Sequence, residues 1–197
     1  MYSLLLAGLL LVGAAGARAA PPPPTLDPAG QAMLDRGEVV MLPAPAAGGA
    51  SARAVVRVGA PPDEIWTIVS DPAHLQAAAS GVRSLTVTRD VTLPDGRREQ
   101  HLSYVVRVGL SDVRYSVIRI YDFADGRMTW TLDTTADNDI SATDGGFTLW
   151  PQPDGSTLFG YDIVVDSGRN LPRWILDHLT ESGLKRFMRY VRDVAER

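Results

Sequence analysis

Three histidines (His74, His101 and His178), a single lysine (Lys185) and no cysteine limit the chemistry open to this 197-residue chain. No two of the histidines have metal-ligand spacing on one element, and there is no His-Glu-x-x-His run. There is also no Gly-x-Ser-x-Gly elbow and no phosphate-binding loop. The lack of cysteine excludes thiol catalysis, disulfides, cysteine-ligated metal and a lipobox. Asp137, Asp139 and Asp144 gather around one turn without calcium-loop spacing, and they read as a solvated turn rather than a metal site. No catalytic residue, metal or cofactor is assigned. Acid–base work inside a cavity would fall to Arg119, Asp133 or Asp162. Asp133 and Asp162 alternate out of phase with the apolar residues of their strands, which places them outside. Arg119 is in phase with Tyr115 and Val117. It either points inward, where it could pair with an anionic headgroup, or reaches solvent at a strand end.

The composition is that of a soluble globular domain, 45% hydrophobic and 21% charged, with a formal net charge of −4. The arginines are scattered, with acidic residues nearby, so no basic stripe for nucleic acid is present. The first twenty residues differ. An apolar run from Leu4 to Val12 is followed by small residues and by Ala17-Arg18-Ala19, which fits a signal-peptidase site. The run is shorter than the roughly 20 residues that span a bilayer. Residues 1–20 are therefore expected to be a cleaved signal peptide, which makes the protein periplasmic or secreted. Residues 21–50 read as a linker rich in Pro, Ala and Gly. It opens with Pro21 to Pro24 and contains a short helix over 27–36, capped by Asp27 and stopped by Gly37.

Periodicity supplies the elements of the remaining domain, 51–197. A strand over 53–58 meets Pro61-Pro62, which opens a helix over 63–70. Asp71-Pro72 then caps a second short helix over 72–79. Six period-two segments follow, at 82–93, 97–110, 112–122, 127–135, 140–151 and 156–165. Pro94-Asp95-Gly96, Asp125-Gly126 and Pro153-Asp154-Gly155 mark tight turns between them. Short connections impose an antiparallel meander. The last segment, 171–196, is an amphipathic helix with Ile175, Leu179, Phe187, Val191 and Val194 on one face. The fold class is α+β: a curved seven-stranded antiparallel sheet, two short helices, and a long C-terminal helix across the concave face.

A curved sheet closed by one helix leaves room for a pocket. The side chains expected to line it are Tyr104, Tyr115, Val117, Arg119, Trp130, Phe147, Phe159 and Tyr161 from strands, with Ile175, Leu179 and Phe187 from the last helix. Gly183 shares the face of Leu179 and Phe187. Glycine costs a helix about 1 kcal/mol relative to alanine, so it either makes room for a ligand or permits close packing on the sheet.

The run Val56-Arg57-Val58-Gly59-Ala60-Pro61-Pro62-Asp63-Glu64-Ile65-Trp66 through Asp71 resembles the opening of START-like domains. The passage from Asp154-Gly155-Ser156-Thr157 to Tyr161, and Leu171-Pro172-Arg173-Trp174-Ile175 opening the last helix, are similar to their ending. The resemblance extends over about 51–196. It implies a helix-grip fold, with a deep apolar cavity of the kind that holds lipids, sterols, quinones or polyketides in relatives, a minority of which are cyclases or dehydratases. The chain departs from the pattern at Leu75 to Val82, where relatives carry an aromatic and a Pro-Gly-Val. The small alanines here would widen a portal. The expected function is an exported carrier of a hydrophobic small molecule, with a cavity enzyme of the cyclase/dehydratase type and a ligand-free interaction domain as alternatives. Such a carrier would make transient contact with a membrane or transport protein.

Overall fold

The computed structural model describes residues 20–44, 49–79, 81–168 and 173–197, with the backbone alone over 173–179. The proposed signal segment lies outside the described residues, apart from Ala20.

One antiparallel sheet carries the fold. Its strands are β1 (Val40–Leu42), β2 (Ala50–Val58), β3 (Val82–Thr92), β4 (Arg98–Val108), β5 (Ser111–Asp122), β6 (Arg127–Leu132), β7 (Ala142–Pro151) and β8 (Thr157–Asp166). They lie in the order β1-β2-β8-β7-β6-β5-β4-β3. From β3 to β8 the chain runs as the meander that the turn residues dictate. β2 then closes against β8 over nine paired residues, from Ala50↔Val165 to Val58↔Thr157. β3 follows β4 with two register shifts, at Val82/Ser84 and Val87/Arg89.

The helices are α1 (Pro28–Asp35), α2 (Pro62–Ser70), α3 (Pro72–Ala78) and α4 (Arg173–Ala195). Proline at the first turn starts α2 and α3, and the Asp71 carboxylate accepts the Ala73 N–H at 2.8 Å to cap α3. On α4, Leu184, Phe187, Met188 and Val191 are buried in the main core with Ile65, Trp66, Ile68 and Val69 of α2. The inward sets of the strands complete this core: Ala54, Val56 and Val58 of β2, Leu102 and Tyr104 of β4, Val117 and Tyr121 of β5.

The sheet has eight strands rather than the expected seven. The extra one, β1, has three residues paired to β2 from Val40↔Val55 to Leu42↔Arg53. Three residues are too few for alternation to show in a sequence. Residues 26–42 of the segment read as a linker are therefore packed against the sheet. Leu34 of α1 and Val40 join Val55 and Leu158 in a second small core on the convex face, with Leu26, Met33 and Trp150 against it. Trp150 Nε1 donates to the Pro21 carbonyl at 2.7 Å, and Arg192 of α4 donates to the Gly37 carbonyl. β6 and β7 are also shorter than expected, because Asp133 to Ser141 forms a loop whose Asn138 and Asp139 side chains accept the N–H groups of Ser116 and Arg114.

Leu34 is 3% exposed, so Leu34→Ala is expected to destabilise the protein by about 2–5 kcal/mol in equilibrium urea unfolding. A free tether would leave the midpoint unchanged.

Candidate functional site

The centre of the concave face is set by β4 and β5, whose inward residues alternate strictly. Tyr104 and Tyr115 face each other across the ladder, with rings stacked at 5.0 Å and only 8° apart. Arg119 is two inward positions further along β5, beyond Val117, opposite Gln100 on one side and Trp130 of β6 on the other. Trp130 meets Phe147 of β7 and Tyr161 of β8, both at 5.6 Å. Phe187 of α4 stacks on Phe147 at 5.3 Å. Gly145 permits this wall: a Cβ there would come within 2.3 Å of the Trp130 ring. The indole lies where a side chain would otherwise stand, and its Nε1 donates to Thr143 Oγ1 at 3.4 Å.

These groups leave a cavity of about 120 Å³, bordered on the helical side by Leu75 and Ala79 of the α3 region and by Phe187. Its described lining is apolar and aromatic apart from Thr143, three tyrosine hydroxyls and one ionised group, Arg119. His74 Nδ1 and the Tyr190 hydroxyl, 2.9 Å apart, tie α3 to α4 beside it.

Arg119 is 7% exposed. Its Nη2 donates to the Tyr104 hydroxyl at 2.9 Å. Nη1 reaches the Tyr121 hydroxyl at 3.4 Å and the Val69 carbonyl, which ends α2, at 3.5 Å. Nε is buried without a hydrogen-bond partner. The guanidinium also lies 6.0 Å from the Trp130 ring centre. Among the described residues no carboxylate pairs with it. Burial works against its charge, the phenols of Tyr104 and Tyr121 work for it, and the net direction is upward. The side chain is a permanent cation.

Burial also pushes the phenols of Tyr104, Tyr115 and Tyr161 up, against the opposing pull of Arg119. Tyr115 and Tyr161 keep some accessible surface, and both line the cavity. All three hydroxyls are protonated at neutral pH, so each has a proton to donate and none is a base.

Residues 49–193 match the family model for polyketide cyclase/dehydrase and lipid transport proteins. This chain belongs to that family. No curated protein matches it in sequence. Solved structures share its START-like fold at low identity. A START superfamily protein from Mycobacterium smegmatis is 19% identical with a TM-score of 0.61, over 75% of this chain and 98% of that one. A STAR-related lipid transfer protein from Xanthomonas axonopodis is 16% identical with a TM-score of 0.62, over 78% and 92%. The Zhui aromatase/cyclase of a Streptomyces species is 16% identical with a TM-score of 0.61, over 75% and 93%.

In this family member the structure brings together Tyr104, Tyr115, Val117, Arg119, Trp130, Phe147, Tyr161 and Phe187 around one cavity. Phe159 is not among the described lining residues. It is fully buried and meets Phe147 edge-on at 5.4 Å. The side chains of Ile175 and Leu179 lie outside the described residues. Arg119 points inward, which rules out the solvent-reaching alternative. Asp162 is exposed, and Asp133 faces His101 at 3.6 Å on the convex side, as their alternation requires. Thr143 was missed, although it is in phase with Phe147 on β7. Its small polar side chain carried no signal of its own. No atom of the described residues lies within 4 Å of a Cβ built on Gly183, so close packing on the sheet does not explain this glycine.

Two outcomes follow. Gly183→Ala should stabilise the protein by up to about 1 kcal/mol in thermal or urea unfolding, since the helix gains propensity and meets no clash. Tyr104, Tyr115 and Tyr161 should resist ionisation in a 295 nm absorbance titration of the folded protein. Because their folded values are raised, their stabilising effect is complete below about pH 10, the usual value for tyrosine, and is lost as pH climbs beyond it. Unfolding midpoints should fall accordingly above that pH.

Proposed function

We propose that this chain is an exported binding or carrier protein that holds a hydrophobic small molecule between the concave face of its sheet and α4. The observation that carries the reading is the cavity itself: an aromatic wall made by five strands and α4, bordered by α3, with a single cationic group among its described lining residues. A filled core would have no reason to keep a buried, partly unpartnered guanidinium beside an empty volume. The ligand classes in view are lipids, isoprenoids or quinones, and polyketide-like molecules. The lipid transfer and aromatase/cyclase names of the similar structures support that range. Export rests on the Leu4 to Val12 run and the Ala17-Arg18-Ala19 site. Loading and delivery would use transient contact with a membrane or a transport protein.

A cyclase-type reaction would need a base, and the described lining offers neither a carboxylate nor an imidazole. Its phenols are held protonated by burial. Binding therefore accounts for the site more fully than catalysis.

The test is expression of the full chain, with its own leader, in a bacterial host. The periplasmic fraction is then analysed by native mass spectrometry without detergent. The expected result is a mature protein beginning near Ala20 and carrying a stoichiometric adduct that extracts into organic solvent. A protein that stays apo after incubation with lipid and quinone extracts would count against the carrier reading. An uncleaved cytoplasmic product would count against export.

A further inference from the structure

We propose that the cavity is selective for a small monoanion, a monocyclic carboxylic acid bound as its carboxylate, with the charge on Arg119 and Tyr104 and the ring against Trp130 and Phe147. This rests on the reading of the cavity as a binding site and narrows it to one class of ligand.

The first argument is charge. Arg119 is the one ionised group among the described lining residues, and no described carboxylate balances it. Its three acceptors are all neutral oxygens, two of them at 3.4 and 3.5 Å, and Nε has none. Neutral acceptors solvate a guanidinium partially and neutralise nothing, so the fold bears the cost of a buried cation. A carboxylate supplies the missing counter-charge and matches the planar fork of guanidinium donors. Tyr104 accepts from Arg119, which leaves its own proton to give to the same carboxylate.

The second argument is how the guanidinium is held. Nη1 donates to the Tyr121 hydroxyl, which donates to Gln100 Oε1 at 3.2 Å. Gln100 Nε2 donates in turn to Asp90 at 3.0 Å. Tyr121 and Gln100 are both fully buried. Every donor in this relay points away from Arg119 and toward Asp90, so the dipoles align and reinforce one another. Asp90 is itself committed to Arg98 by two hydrogen bonds. The relay therefore orients Arg119 without discharging it. That is what an anion site needs: a cation fixed in place and still short of a partner.

The third argument is size. A cavity of about 150 Å³ takes a benzene ring, and drug-sized ligands need about 300 Å³ or more. At about 120 Å³ the space bounded by the described residues is of the one-ring order and well short of a drug-sized site.

The experiment is calorimetric titration at pH 7 with benzoate, with its neutral isostere benzamide, and with hexadecanoate. Benzoate should bind at least about tenfold more tightly than benzamide, the margin expected of a charge-assisted hydrogen bond. In Arg119→Met that preference should vanish. The melting temperature should hold or rise, since a buried uncompensated charge is replaced by an apolar group of similar length. Tyr104→Phe, a second and milder variant, should reduce the preference without removing it. Equal binding of benzoate and benzamide by the wild type would overturn the anion proposal and leave the cavity reading standing. Binding of hexadecanoate but not benzoate would overturn the size argument in the same way. If none of the three binds, and the protein made in the periplasm carries no adduct, both readings fall together.

Discussion

A curved antiparallel sheet of eight strands presents more concave surface than one 23-residue helix can cover, and the rest of the molecule answers to that shortfall. The helix lies against β2 and β8, and its described buried residues, Leu184 to Val191, fill one end together with α2. Over the middle of β4, β5 and β6 the described side chains of the α3 region and α4 border the space without filling it. The aromatic residues there pack on one another instead, Tyr104 on Tyr115 and Trp130 on Phe147. Flat rings held by neighbours on the same sheet make a wall that does not collapse into the gap. The volume persists because its lining is already braced sideways.

Most of this architecture was legible because strands advertise their two faces. Tyr104, Tyr115, Val117, Arg119, Trp130 and Phe147 share an inward phase that can be counted from the letters alone. Turn residues such as Asp125-Gly126 supplied the meander order. What alternation cannot show is a strand that spans barely more than one of its periods. β1, with three residues, was therefore invisible, and the Pro-rich segment beside it looked like a tether. Its anchoring depends on Trp150, 129 positions beyond Pro21 in the chain, and no local pattern announces such a contact. Phase also fixes which face a residue takes without fixing its depth. Phe159 shares the face of Tyr161 yet belongs to the solid part of the core.

Arg119 shows the limit most clearly. Its parity allowed it inside, while general experience of arginine in strands favoured the surface. The deciding groups are Tyr121, Gln100 and Asp90, which lie on three strands. Gln100 and Arg119 are cross-strand neighbours, so the pair was implicit in the register of β4 and β5, but that register is settled only by folding. A polar residue with no exposure, such as Gln100, carries no mark in sequence that separates it from its solvated counterparts.

The two margins of the sheet carry a last consequence. An open sheet ends in unpaired backbone groups that can template association with another chain. Here one margin is β1, too short to offer a ladder. The other is β3, which bears Arg83, Arg89 and Asp90 and is broken by two shifts in register. Neither presents a long, straight, apolar row. The sheet can thus stop at eight strands in a crowded compartment without recruiting a ninth from a neighbour.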